Sequence, residues 1–191
     1  MKFVILHGTM GNPEENWFPW LATELEKLGH ITFRSQLPTP DGQTPENWVS
    51  EIKKAVDNLG GADEKTVFVA HSMSPLAVCM YLETLNTKIH SCYFVCGFAE
   101  RFNWPDPFPK LNNPFVDTKL DYEKVTKNCD NIYCFEGDND PYVTLDMAKN
   151  FAKLCKAKSL DIVPNGGHLS KSSGYTEFPL LLEKIISYDT Y

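Results

Sequence analysis

The chain has 191 residues, 42% of them hydrophobic and 23% charged, with 25 acidic against 18 basic side chains and a formal net charge of −7. That length and balance predict one soluble globular domain over residues 1–191 and exclude a disordered chain. With no basic run anywhere and no apolar stretch long enough to span a bilayer, neither nucleic acid nor membrane is an expected partner.

The first apolar run, Lys2–His7, leads into the turn His7-Gly8-Thr9-Met10. Neither G-x-G-x-x-G nor G-x-x-x-x-G-K-[ST] follows it, so a nucleotide-phosphate loop is not expected there. A helical pattern, "LATELEKLGH" (21–30), precedes a second strand at Ile31–Ser35. In "TPENWVSEIKKAVDNLGG" (44–61), Thr44 is placed as N-cap, Pro45 at the first helical position and Gly60 past the end. Trp48, Ile52, Val56 and Leu59 make its apolar stripe.

A third strand, Thr66–Ala70, runs into the helical pattern "PLAVCMYLETL" (75–85), followed by a fourth strand at His90–Val95. From Gly97 to Asp121 the chain carries four prolines and five large aromatics. It reads as one long functional loop packed over the strand ends. A fifth strand (Asn131–Phe135), the helix pattern "TLDMAKNFAKLC" (144–155), a sixth strand (Ser159–Val163) and the helix pattern "FPLLLEKIIS" (178–187) complete the chain. Most of these strands are continuously apolar rather than alternating, as strands buried on both faces of a parallel sheet are. The alternation with helices predicts an α/β fold with a six-stranded parallel sheet in the order 2-1-3-4-5-6, helices on both faces.

Six cysteines (Cys79, Cys92, Cys96, Cys129, Cys134 and Cys155) sit mostly in apolar segments, with no C-x-x-C pair and no zinc-like His/Cys spacing. They read as small buried hydrophobes in a reduced, cytoplasmic protein, and no metal or organic cofactor is implied.

The stretch "VFVAHSMSPLAVC" (67–79) carries the first chemical signal. A serine between strand and helix is most often only an N-cap. A nucleophile elbow instead needs minimal bulk two residues to either side, and a following residue whose N–H can join an oxyanion hole. Ala70 and Ser74 flank Ser72, and Met73 follows it; Ser74 has Leu76 on one side and is followed by Pro75, which has no N–H. Ser72 is therefore the expected nucleophile and Ser74 a helix cap.

Such a serine needs a base and an orienting carboxylate, in the chain order Ser, Asp, His. "GDNDPYV" follows the fifth strand and "VPNGGHLS" follows the sixth, both at C-terminal strand ends where open α/β sheets place their sites. His168 is the expected base, since His7, His30, His71 and His90 all come before Asp138 and Asp140, in the wrong order for the base. Asp138 and Asp140 compete for the acid. A calcium loop is not expected, because Val143 stands where such a loop needs glycine. The second oxyanion donor is expected from the first loop, at the Thr9 N–H with Met10 in reserve.

Together, "ILHGTMGNPEENWFPWL", "VFVAHSMSPLAV", "GDNDPYV", "PNGGH" and "GYTEFPLLLEKI" resemble the small α/β-hydrolases grouped with retinoblastoma-binding protein 9, over nearly the whole chain. The resemblance implies a serine hydrolase on a minimal α/β-hydrolase core without a cap domain. It assigns the triad to Ser72, His168 and the aspartate directly before proline, Asp140. Two departures stand out: Ala70 and Ser74 replace the usual glycines of G-x-S-x-G, and no L-x-C-x-E segment is present.

The expected function is hydrolysis of small esters, amides or thioesters through an acyl-enzyme on Ser72. The alternative is a hydrolase-fold binding or scaffold module. Met10, Trp17, Phe102 and Trp104, with Phe18 and Trp20, have two readings: walls of an acyl pocket, or core and surface-loop packing.

Overall fold

The computed structural model describes residues 1–101 and 104–189. Six strands form one sheet: β1 (Lys2–Leu6), β2 (Ile31–Ser35), β3 (Thr66–His71), β4 (Ser91–Val95), β5 (Ile132–Gly137) and β6 (Ser159–Val163). Their spatial order is β2-β1-β3-β4-β5-β6 and every pairing is parallel, which is the topology read from the sequence. The central strands β3 and β4 are buried at every position.

Strand alternation divides the core in two. Val4, Leu6, Phe68 and Ala70 face one side, packed against α2 (Pro45–Asn58), α3 (Ser74–Thr84) and α6 (Leu145–Leu154). Phe3, Ile5, Val67 and Val69 face the other, packed against α1 (Phe18–Lys27) and α7 (Pro179–Asp189). The helix starts follow the capping chemistry: Thr44 accepts from the Asn47 N–H and Thr144 from the Met147 N–H. Helix α3 is buried on nearly all sides, from Ser74 to Leu82, so the junction at its N-terminus is fixed from every direction.

The segment after β4 corrects the sequence reading. It is not one long loop, for it contains α4 (Phe108–Val116) and leads into α5 (Tyr122–Asn128). Pro109 lies in the first turn of α4, where the missing N–H has no helical partner to lose. Pro114 lies near the other end, so the helix is short rather than broken in its middle. Among the described residues, no helix is long and apolar enough to cross a membrane.

Candidate active site

The C-terminal end of β3 is pinned on both sides, with Leu6 of β1 beside Ala70 and Val95 of β4 beside His71. Immediately beyond it, Ser72 has φ 64°, a left-handed conformation that a non-glycine residue adopts only when its surroundings impose it. Its N–H donates to the Val95 carbonyl at 2.8 Å. Gly8 runs so close that a Cβ there would lie 2.6 Å from Ser72 Cβ and 3.1 Å from Ser72 Oγ. The small residue required opposite the serine is thus Gly8 as well as Ala70 and Ser74.

Ser74 is not the helix cap expected from the sequence; Met73 holds the cap position. The Ser74 side chain is fully buried and turns back on the elbow. Its hydroxyl accepts the His71 N–H at 2.9 Å, with the His71 and Leu6 carbonyls in reach of its own proton at 2.9 and 3.2 Å. A serine at this position therefore braces the turn that a glycine would only permit.

His168 and Asp140 are brought together by two loops in close contact. A Cβ on Gly137 would fall 2.0 Å from the Gly167 carbonyl oxygen, so this crossing requires glycine. Asp138 accepts the Asn165 N–H at 2.7 Å and Asn139 accepts the Gly167 N–H at 2.7 Å, tying the Asp loop to the His loop. Asp140 Oδ1 accepts from the N–H groups of Tyr142 and Val143, and its Oδ2 lies 2.6 Å from His168 Nδ1. Asp140, not Asp138, is the carboxylate beside the imidazole. Burial opposes ionisation of Asp140, but the contacts with His168, Glu136 and the Tyr142 N–H together outweigh it and hold its pKa below the usual carboxylate value. An ionised Asp140 keeps the proton on His168 Nδ1 and leaves Nε2 as the acceptor.

Three buried groups stand behind the pair; His71 and Glu136 were not read from the sequence as parts of the site, and Trp17, which had the readings of pocket wall or core, supports it from the core. His71 donates from Nε2 to the His168 carbonyl at 2.9 Å; burial lowers its pKa to about 3, so it stays neutral. Trp17 donates from Nε1 to the Leu169 carbonyl at 2.9 Å. These two side chains hold consecutive carbonyls of the histidine loop. Glu136, fully buried beside Asp140, has its pKa raised to about 10 by burial and then by that carboxylate, so it is a neutral acid. Ligand-type atoms of His71, Cys96 and His168, and of Cys96, Glu136 and Asp140, lie within 4.8 Å of one another. The His71 and His168 nitrogens that face protein partners are already engaged as hydrogen-bond donors, so these atoms serve as internal support for the loops.

Ser72 and His168 line the same cleft, of about 530 Å³, a size suited to a small organic ligand. They do not form a hydrogen bond with each other here, a bond that in unliganded sites is often loose. Gly8, Thr9, Met10, Phe98, Phe108, Asn112 and Tyr142 also line the cleft. Among the described residues, no acceptor takes the Thr9 and Met73 N–H groups.

The aromatic expectations divide. Met10 is a half-exposed cleft wall. Trp17 and Phe18 are not; both are fully buried in the core on the α1 side, where Trp17 packs on Phe18 and Phe178. Trp104 stands behind the wall, its ring 4.4 Å from that of Tyr142, which in turn lies 4.8 Å from the His168 ring. Phe102 lies outside the described residues. Among the described residues, Phe98 and Phe108, from the same aromatic segment, and Tyr142, from the "DPYV" motif, are the phenyl and phenol rings that reach the cleft.

A parallel sheet of this order with a serine in a left-handed elbow after β3 and an Asp–His pair on the last two loops defines an α/β-hydrolase. The chain belongs to the serine hydrolase family, whose model matches residues 3–186. It is 26% identical to the YdeN hydrolase of Bacillus subtilis over 186 residues, covering 96% of this chain and 94% of that one. The crystal structure of the ydeN product superposes with a TM-score of 0.89 at 24% identity, over 100% and 99% of the two chains. Serine hydrolase RBBP9 of Rattus norvegicus is 23% identical over 168 residues, 86% of each chain. Est1E of Butyrivibrio proteoclasticus shares the fold, with a TM-score of 0.72 at 18% identity over 100% of this chain and 88% of that one.

Proposed function

We propose that the chain hydrolyses small ester, amide or thioester substrates through an acyl-enzyme on Ser72. The observation that carries this reading is Ser72, held at φ 64° in the cleft that also contains His168, whose Nδ1 is 2.6 Å from Asp140. Ser72 Oγ attacks the scissile carbonyl carbon as His168 Nε2 takes its proton. Asp140 fixes the Nδ1–H tautomer and stabilises the imidazolium that forms. The negative charge on the carbonyl oxygen is met by the uncommitted N–H groups of Thr9 and Met73. His168 then returns its proton to the leaving group, and a water activated by the same nitrogen releases the acid and restores Ser72.

The apolar walls at Met10, Phe98, Phe108 and Tyr142 suit a short acyl or aryl group. The proposal includes a cytoplasmic location, supported by six cysteines that are all buried and free. Rapid mixing with p-nitrophenyl butyrate tests the mechanism. One equivalent of p-nitrophenolate per chain in a burst, ahead of steady turnover, is the expected result. Binding of the ester with neither burst nor turnover would overturn it in favour of a scaffold module.

A further inference from the structure

A chain of polar side chains runs from the oxyanion loop into α4, and its direction is fixed by chemistry. The Gln43 amide nitrogen lies 3.2 Å from the Leu111 carbonyl oxygen, which can only accept, so that nitrogen must face it. Gln43 Oε1 therefore points the other way and accepts the Thr39 hydroxyl at 2.6 Å, while Thr39 accepts the Met10 N–H at 2.8 Å. The Gln43 nitrogen also reaches Thr9 Oγ1 at 2.8 Å and Asn112 at 3.2 Å. Two amide nitrogens cannot face each other, so the Asn112 atom at this contact is its oxygen. Thr9, already accepting from Gln43, gives its own proton to that same Asn112 oxygen.

This leaves the Asn112 nitrogen turned away from the network. Asn112 is only 4% exposed and lines the cleft, yet among the described residues no acceptor takes its two N–H groups. These donors open on the cleft, so their partner is solvent or a substrate atom bound there, and a substrate that displaces the solvent without offering an acceptor leaves them unpaired. Its oxygen, meanwhile, anchors the side chain of Thr9, whose backbone N–H is the proposed oxyanion donor.

We infer that Asn112 is a specificity residue whose amide nitrogen donates to an oxygen acceptor close to the scissile carbonyl, so that the substrates are oxygen-bearing esters rather than plain alkyl ones. This rests on the hydrolase reading above. Ethers, hydroxyls or carbonyls near the reacting group meet the requirement; a saturated alkyl chain does not. A site built to donate rejects an analogue that lacks the acceptor far more strongly than an apolar wall rejects an added oxygen. The same residue positions Thr9 through its oxygen, so its two ends serve separate purposes.

The test compares kcat/KM for ester pairs that differ by one methylene replaced with oxygen. Butyryl against methoxyacetyl and pentanoyl against 3-methoxypropionyl p-nitrophenyl esters place the oxygen at successive acyl positions; butyl against 2-methoxyethyl esters place it in the alcohol. Asn112→Asp keeps the accepting oxygen for Thr9 and removes the donor. Dividing each pair's ratio in the variant by that in the wild type cancels intrinsic reactivity. In at least one pair the variant is expected to lose about tenfold of the preference for the oxygen member, the worth of one hydrogen bond. Asn112→Leu, which keeps the volume without a charge, is expected to lose the same preference and also to lower kcat for every ester, because Thr9 loses its anchor. Melting curves establish that each variant is folded, and either variant alone supports the comparison. Unchanged ratios across all pairs, with the wild type active, would overturn the Asn112 inference. A wild type that turns over no ester of the panel would overturn the hydrolase reading and this inference with it.

Discussion

Gly8→Ala is a substitution of one methyl group that reports on the elbow directly. The added carbon would lie 2.6 Å from Ser72 Cβ, 3.1 Å from Ser72 Oγ and 3.1 Å from the His71 carbonyl oxygen. Carbon atoms in comfortable contact sit about 3.5–4.0 Å apart, so the two chains must separate by about 1 Å. Ser72 has no conformational slack to absorb this, since its φ of 64° is already imposed and its N–H is tied to Val95. The movement acts on Ser72 and on the adjoining Thr9 N–H together. A misplacement of about 1 Å costs on the order of a hundredfold in turnover, equivalent to about 2.7 kcal/mol in the barrier. The packing penalty on folding is about 1–3 kcal/mol, which leaves a folded protein to assay. Steady-state hydrolysis of p-nitrophenyl butyrate gives kcat, and urea titration gives the stability. A Gly8→Ala variant within threefold of the wild-type kcat would refute the claim that this close approach sets the nucleophile.

Other expectations concern the groups around the elbow. Asp140→Asn should lower kcat by about 10⁴ while leaving the fold intact, because the amide no longer selects the Nδ1–H tautomer of His168; steady-state assays measure this. Ser74→Ala should keep most activity but lose about 1–3 kcal/mol of stability in urea, since the buried His71 N–H then lacks its acceptor. Glu136 holds a proton in the folded state up to about pH 10 but loses it near pH 4.5 when unfolded, so the unfolded chain binds fewer protons between these values. Stability should then fall by up to ~1.4 kcal/mol per unit as pH rises from about 5 to 9, and Glu136→Gln should flatten this slope in urea titrations taken across that range.

The strands were legible because each is a short run between helical patterns, continuously apolar in the buried centre of the sheet; the edge strands β2 and β6 are only partly buried, yet their observed bounds match the sequence reading to the residue. The elbow was legible because its requirements are local: small neighbours at Ala70 and Ser74, and an N–H on Met73. Helix α4 was not, because Pro107, Pro109 and Pro114 read as breakers when two of them fall where a helix start tolerates them. Trp17 was ambiguous for a different reason. An aromatic beside the first loop fits a pocket wall or a core equally, and only the fold brings its indole to Leu169, 152 residues away. The Thr9–Gln43–Asn112 network and the support from His71 depend on contacts between distant segments. No periodicity in the sequence encodes them.

Reaction of the protein with a fluorophosphonate, followed by intact-mass and peptide mass spectrometry, tests the central claim most directly. The account predicts one adduct per chain, located on Ser72, absent from Ser72→Ala and retained in Ser74→Ala. An adduct on Ser74, or no adduct on a folded wild-type chain, would contradict it.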